Sequence, residues 1–426
     1  MAVHKIRVLV VDDSILFRTV LIKSLEQDPY IEIAGYAVDS YDAFEKIESL
    51  RPDVITLDVE MPKMNGIEFL KKLMPVNPYP VVVVSAMPIN ALDALEAGAV
   101  DFVKKPVVKT PGDLQEFIRE LISKIKIASI ARIGNRRPKI QQAPAEQEKH
   151  RESTQSPSTG IARDTKKDRT VSQERHERLI RKLEQVIDNT QRTRRTIESR
   201  DPGPRRDIEK QSGKQSHVPR VSGTRQAKSK LTLVAIGAST GGTEAILKVV
   251  QDLPADFPCV LVVQHMPAGF TKMYAERLNR HCKMSVKECE DGDRIEPGRI
   301  IIAAGDFHMR VEADKRGFYV RSQKGEKVSG HCPSVDVLFN SVADVVGDSA
   351  VGVILTGMGA DGAKGLLKMR MAGCYTIGQD RESCVVYGMP MVSFNIGAVE
   401  KQLPLDHICS ELVKYYHTSS NKDEKQ

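Results

Sequence analysis

Leu231 to Thr243 reads LTLVAIGASTGGT. An apolar run closes in Gly237-Ala238-Ser239-Thr240-Gly241-Gly242 and passes into TEAILKVV, so a strand turns sharply into a helix with one serine at the apex. A serine held there has little steric cover and lies near free backbone N–H groups. The spacing matches G-x-S-x-G, which puts a nucleophile in that setting. The same stretch also fits a phosphate-binding loop opening a helix, although it lacks both the GK[ST] ending and the G-x-G-x-x-G spacing. A neutral serine hydroxyl needs a base. The base needs an orienting carboxylate, and the intermediate needs an oxyanion hole. CVLVVQHMP brings His265 to a strand end, and AVGVILTGMGADG runs through a glycine-rich turn to Asp361, with Met358-Gly359 able to offer an N–H to an oxyanion. If both strands flank the first, Ser239, His265 and Asp361 converge at one sheet edge. His281, His308 and His331 compete for the role of base, and Asp361 can instead serve only the turn before GLLKMRMAG.

A second cluster stands at the N-terminus. Predicted strands end in Asp12-Asp13, at Asp58, at Ser85 and at Lys105-Pro106. Ligands of open α/β sheets bind at the carboxyl ends of strands, so three carboxylates, a hydroxyl and an ammonium meet there. Clustered carboxylates repel one another, and a divalent cation such as Mg²⁺ relieves that repulsion through oxygen ligands. A carboxylate beside that ion and Lys105 can accept a phosphoryl group, because both cations neutralise the charge developing on its oxygens.

Alternating elements must position these residues. In 1–128, IRVLVV, IEIAGYA, DVITLDV, VVVVSA and DFVKK read as strands. LFRTVLIKSLEQ, YDAFEKIESL, IEFLKKLM, ALDALEAGA and DLQEFIRELISKIKIA carry helical spacing between and after them. Five βα units predict a parallel sheet covered on both faces. Residues 231–418 return to the pattern, with strands LTLVAIG, CVLVVQH, MSVKECE, RIIIAAG, AVGVILTG and CYTIGQ. HMRVEADKRGFYVRSQ reads as a hairpin, so the expected sheet is mainly parallel with an antiparallel excursion. The fold class is α/β throughout.

The 426 residues exceed one ordinary core. Net charge is +7, but residues 129–230 hold 26 Lys+Arg against 13 Asp+Glu, a net of +13, which leaves −6 elsewhere. That segment is poor in apolar side chains and is expected to be a basic flexible linker. Its one amphipathic island, ERLIRKLEQVIDN, puts Leu179, Ile180, Leu183, Val186 and Ile187 on one helical face. Residues 419–426 form a polar tail. No apolar run nears the roughly 20 residues of a membrane span, and the start reads as no signal peptide, so a cytoplasmic protein is expected. Seven cysteines without CxxC spacing predict reduced thiols rather than a zinc site or redox pair. A binding module controlled by the N-terminal site stays open as an alternative. Nucleic acid is not the expected partner, since no recognition motif follows that site.

Residues 5–128 resemble a response-regulator receiver domain. The resemblance implies that Asp58 is the phosphoacceptor and that Asp12, Asp13 and Asp58 hold Mg²⁺ together with the backbone carbonyl of Glu60. Ser85, Phe102 and Lys105 fall on the switch positions. IGASTGGTEAI, QHMPAGFT, PSVDVLF, GVILTGMGADG and CVVYGMP resemble the catalytic domain of the chemotaxis protein-glutamate methylesterase family. That likeness implies Ser239 as nucleophile, His265 as base, Asp361 as orienting acid and Met358 at the oxyanion turn, with no cofactor for the esterase. It also implies methyl-accepting chemoreceptors as substrates, a histidine kinase as phosphodonor, and a second activity that deamidates glutamine. Cys332 stands where the family commonly has arginine.

Overall fold

The computed structural model describes residues 5–107, 110–133 and 230–420. The amphipathic island at 179–187 and the polar tail beyond Ser420 lie outside the described residues, as does nearly all of the basic segment.

The first part builds β1 (Ile6–Val11), α1 (Ile15–Leu25), β2 (Ile31–Ala37), α2 (Ser40–Leu50), β3 (Val54–Asp58), α3 (Gly66–Val76), β4 (Val81–Ser85), α4 (Pro88–Glu96), β5 (Asp101–Lys104) and α5 (Pro111–Ser129). All five strands are parallel, in the order β2-β1-β3-β4-β5. The near-continuous Val/Ile/Leu runs have the reason expected of a parallel sheet: helices cover both faces. Val8 and Val10 face one apolar cluster with Leu121 and Ile125, whereas Leu9 and Val11 face the other with Phe69 and Leu70.

The second part builds β6 (Leu233–Ala238), α6 (Gly242–Val250), β7 (Cys259–Gln264), α7 (Phe270–His281), β8 (Ser285–Glu288), β9 (Arg299–Ile302), β10 (His308–Asp314), β11 (Gly317–Gln323), α8 (Val335–Val345), β12 (Ala350–Ile354), α9 (Ala363–Met371), β13 (Tyr375–Gln379), α10 (Met389–Asn395), β14 (Lys401–Leu403) and α11 (Leu405–Ser420). Seven strands form one parallel sheet, β14-β13-β12-β6-β7-β9-β8, and β10–β11 is a separate antiparallel hairpin. Every residue of β6 and β7 is buried. The chain leaves β6 toward β7 on one side and later returns as β12 on the other. A crevice therefore opens beyond the carboxyl end of β6, where such sheets bind ligands.

Candidate active site

Ser239 follows β6 directly, at the mouth of that crevice. Gly242 N–H donates to Ser239 O at 2.7 Å, closing the turn that starts α6. Two glycines make the turn possible. Gly241 has φ +76, and a Cβ on Gly242 would lie 2.1 Å from Oε1 of Gln264. Gly357 supports the serine from the β12 side, because a Cβ there would come within 2.7 Å of the Ser239 Cβ. The serine is pinned through its backbone: Ser239 N–H donates to Thr356 O at 3.0 Å and Gln264 Nε2 donates to Ser239 O at 2.9 Å.

His265 is the residue after β7, and its N–H donates to Ala238 O at 3.2 Å, so adjacent strand ends set it next to Ser239. Its Nε2 lies 2.8 Å from Oδ2 of Asp361. Its Nδ1 is buried and makes no hydrogen bond among the described residues. Ser239 Oγ and Nδ1 are likewise not hydrogen-bonded to each other, a spacing common in catalytic pairs before substrate arrives.

Asp361 is 2% exposed and has four partners. Besides His265 it accepts from Ser334 Oγ at 2.7 Å, Val335 N–H at 2.8 Å and Asp336 N–H at 3.1 Å. Three of the four donors therefore come from the N-terminal end of α8, where a helix dipole favours negative charge. Burial alone would push the carboxyl up. The hydrogen bond and charge of His265, with Ser334 and Val335, more than offset that and hold it below the ordinary carboxylate range. Asp361 does not cap the helix that follows it in sequence, since Gly362 precedes α9 with no side-chain cap. The acid serves a helix far back in the chain instead. PSVDVLF carried no assigned role in the sequence, and Ser334 and Val335 are the functional positions missed there. The signal was a Ser at a helix start, but its partner lies 27 residues downstream.

Met358 is exposed on the turn after β12, and its N–H makes no hydrogen bond among the described residues. The competing histidines are placed elsewhere or differently. His281 ends α7 in solvent. His308 is buried, with Nε2 2.8 Å from Glu326 O and Nδ1 accepting from Ser334 N–H at 3.3 Å. His331 stacks on His265. Cys332 is half-buried, and all seven cysteines are free thiols.

In the first sheet, ligating oxygens of Asp12, Asp13 and Asp58 lie within 4.8 Å of one another. Lys105 Nζ sits 2.5 Å from Asp58 Oδ2 and 3.4 Å from Asp12 Oδ2. Burial raises Asp12 to about 6, with the Asp58 charge adding to it and Lys105 opposing it. Asp12 Oδ2 has no hydrogen-bond partner. Ser85 is buried and exchanges hydrogen bonds with Met87, and Glu60 N–H donates to Asp58 Oδ1 at 3.1 Å.

The two parts meet beside Ser239, at Thr240. Thr240 Oγ1 donates to Asp101 Oδ2 at 2.5 Å, with both residues buried. Phe102 is buried and stacks on Phe270 with centroids 4.7 Å apart. Arg277 bonds Glu244 at 2.8 Å and reaches Glu96 at 3.6 Å. Arg132 N–H donates to Val385 O at 3.0 Å. No helix among the described residues is long and apolar enough to cross a membrane.

A family model described as CheB methylesterase matches residues 234–412, and one described as response regulator receiver domain matches residues 8–119. A protein-glutamate methylesterase/protein-glutamine glutaminase of Syntrophomonas wolfei is 44% identical over 414 residues, 97% of this chain and 98% of that protein. One of Caulobacter vibrioides is 43% identical over 406 residues, 94% of this chain and 95% of that protein. Among solved structures, the Thermotoga maritima CheB methylesterase catalytic domain is 39% identical, covers 43% of this chain and 98% of its own, and has a TM-score of 0.43.

Proposed function

From the premise that the chain belongs to the protein-glutamate methylesterase/protein-glutamine glutaminase family, we propose that Ser239, His265 and Asp361 carry its hydrolysis. The activity is phosphorylation-controlled cleavage of glutamate methyl esters in protein, with deamidation of glutamine by the same site. The observation that supports these residues is the state of His265, with one ring nitrogen tied to an ionised acid and the other buried and unpartnered.

An ionised Asp361 can only accept, so Nε2 carries the proton and Nδ1 holds the lone pair. Nδ1 takes the proton of Ser239 as Oγ attacks the ester carbonyl. The Met358 N–H donates to the oxyanion. Nδ1 returns the proton to the leaving oxygen, methanol departs, and water cleaves the acyl-enzyme by the same steps to release glutamate. With glutamine as substrate, ammonia leaves instead. The esterase chemistry is complete without a cofactor.

In the receiver, Asp12, Asp13 and Asp58 fit Mg²⁺: their oxygens converge, and the buried Asp12 Oδ2 makes no hydrogen bond. The carbonyl of Glu60 would join them. The ion, when bound, neutralises charge on the entering phosphoryl group. Lys105 holds Asp58, the proposed acceptor, and Ser85, at the end of the neighbouring strand β4, is the proposed partner of the phosphoryl oxygens. Phe102, three residues before Lys105, links that change to Phe270.

The unphosphorylated receiver covers the turn of Ser239. The aromatic stack contributes about 0.5–1.5 kcal/mol, and the ion pair to the exposed Glu96 at most about 1 kcal/mol. A hydrogen bond to a charged group such as Asp101 contributes about 1.5–3 kcal/mol. Their sum is a few kcal/mol, within reach of a phosphorylation-driven population shift. The receiver spans 1–128 and the esterase domain 231–418 in this reading. The substrates are cytoplasmic segments of methyl-accepting chemoreceptors, and the phosphodonor is a histidine kinase.

The test is methanol release from methylated receptor membranes, with and without acetyl phosphate and Mg²⁺, for the wild type and Ser239→Ala. Release that rises with phosphodonor and vanishes in the variant is expected. Release that persists in Ser239→Ala would overturn the nucleophile, and release indifferent to phosphodonor would overturn the gate.

A further inference from the structure

The bonds to His265 leave one freedom open. Nε2 is tied to Asp361, but a single hydrogen bond does not fix the imidazole against rocking about that line. His331 supplies the missing constraint. Its ring lies flat on that of His265, with centroids 3.7 Å apart and planes 8° from parallel. Among the described residues the His331 ring makes no hydrogen bond, so the stack is its one directional contact. A tight turn delivers it. Val328 and His331 exchange backbone hydrogen bonds of 3.0 Å, and the two residues between them, Ser329 (φ 53) and Gly330 (φ 86), are both left-handed. That is the pattern of a two-residue turn which tolerates few side chains at its second position. Three residues later Ser334 and Val335 bind Asp361. One short segment thus grips both the face of the base and its acid.

The stack also suits the charge changes of the reaction. Burial pushes His331 down to about 4, Lys124 and Lys327 act the same way, as does His265 whenever it carries a proton, and Asp361 opposes them. At neutral pH His331 is uncharged. An uncharged ring can remain on His265 when the latter becomes imidazolium, whereas two cations at this distance would repel.

We propose that His331 is a positioning residue of the hydrolysis, whose ring holds the His265 imidazole in the plane that keeps Nε2 on Asp361 and Nδ1 available to Ser239. The inference rests on the proposed triad and adds a fourth side chain to it. Small misplacements of a reacting group cost up to about a hundredfold in rate. His331→Ala should therefore lower kcat about ten- to a hundredfold with KM little changed. His331→Phe, which keeps a flat ring and discards both nitrogens, should recover most of the loss.

The experiment measures kcat and KM for methanol release by the full chain with acetyl phosphate and Mg²⁺, in wild type, His331→Ala and His331→Phe. Alongside, proton NMR follows the His265 ring signals, which a stacked ring moves upfield. An upfield signal in wild type and His331→Phe, lost in His331→Ala together with kcat, supports the proposal. An unchanged kcat in His331→Ala overturns it. So does a His331→Phe protein that keeps the upfield signal yet is as slow as His331→Ala, since the nitrogens would then be what matters. A wild type that releases no methanol sinks the esterase reading rather than this one, because the ring signals still report whether His331 fixes His265.

Discussion

The two sites occupy the same place in the fold, the carboxyl ends of parallel strands, and differ in how far their charge is balanced. In the receiver, three carboxylates face one ammonium, and Asp12 is driven up to about 6, its Oδ2 making no hydrogen bond and reached only by Lys105 at 3.4 Å among the described residues. In the esterase, Asp361 has four donors and is held below its ordinary range. Among the described residues, the buried side-chain atoms of its site without a hydrogen bond are His265 Nδ1 and Gln264 Oε1, and the Met358 N–H is likewise unpaired. Buried polar atoms are normally satisfied, so the exceptions indicate what each site awaits. The first lacks positive charge, which a metal ion supplies. The second lacks a proton donor and an oxyanion, which a serine and an acyl group supply.

The largest effect should come from damaging the balanced acid. Asp361→Asn replaces one acceptor oxygen with a donor and favours the wrong tautomer of His265, with the proton on Nδ1. By analogy with triads generally, kcat should fall about 10³–10⁴-fold. Methanol release measures the loss, and the rate of receiver phosphorylation in the same protein should be unchanged. A fall of less than tenfold would mean that the four-donor arrangement is structural only.

A smaller effect is expected where the two regions touch. Thr240 neighbours the nucleophile and bonds Asp101, which Lys124 also holds at 2.7 Å. Thr240→Val removes the hydroxyl and leaves Asp101 its lysine. The closed arrangement should lose about 1–3 kcal/mol. The unphosphorylated protein should then release methanol about tenfold faster, and stimulation by acetyl phosphate should shrink by the same factor. A basal rate equal to wild type would show that this contact does not hold the receiver down.

Much of the pattern was legible in the sequence. Eleven of the twelve strands in the two parallel sheets and their main helices follow from apolar runs and helical spacing, and β12 and β7 do flank β6. Elements too short to show a period escaped. Helix α10 has seven residues, under two full turns, and β14 has three with one apolar side chain. At the site, residues on strand ends were readable because strand order brings them together. Ser334, Val335 and His331 were not readable as partners. Their contacts to Asp361 and His265 cross from one loop to others tens of residues away, and no local spacing encodes them. Gly357 escaped for the same reason, since its need for no side chain comes from Ser239 lying against it.

The smallest effect sharpens the comparison through acid. His331 faces His265, Asp361, Lys124 and Lys327. Its folded value of about 4 lies below the ordinary 6.5. In the unfolded chain it binds a proton as pH falls through 6.5, whereas the folded chain resists until about 4. The unfolded state therefore holds more protons in that window, and stability falls as pH drops. Between pH 7 and pH 5 this one group should cost at most about 2 kcal/mol. His331→Phe cannot titrate, so its denaturation midpoint should fall less over the same interval. Denaturant unfolding of both full-length proteins at the two pH values gives the difference. Parallel losses would place the His331 ring in water rather than against His265.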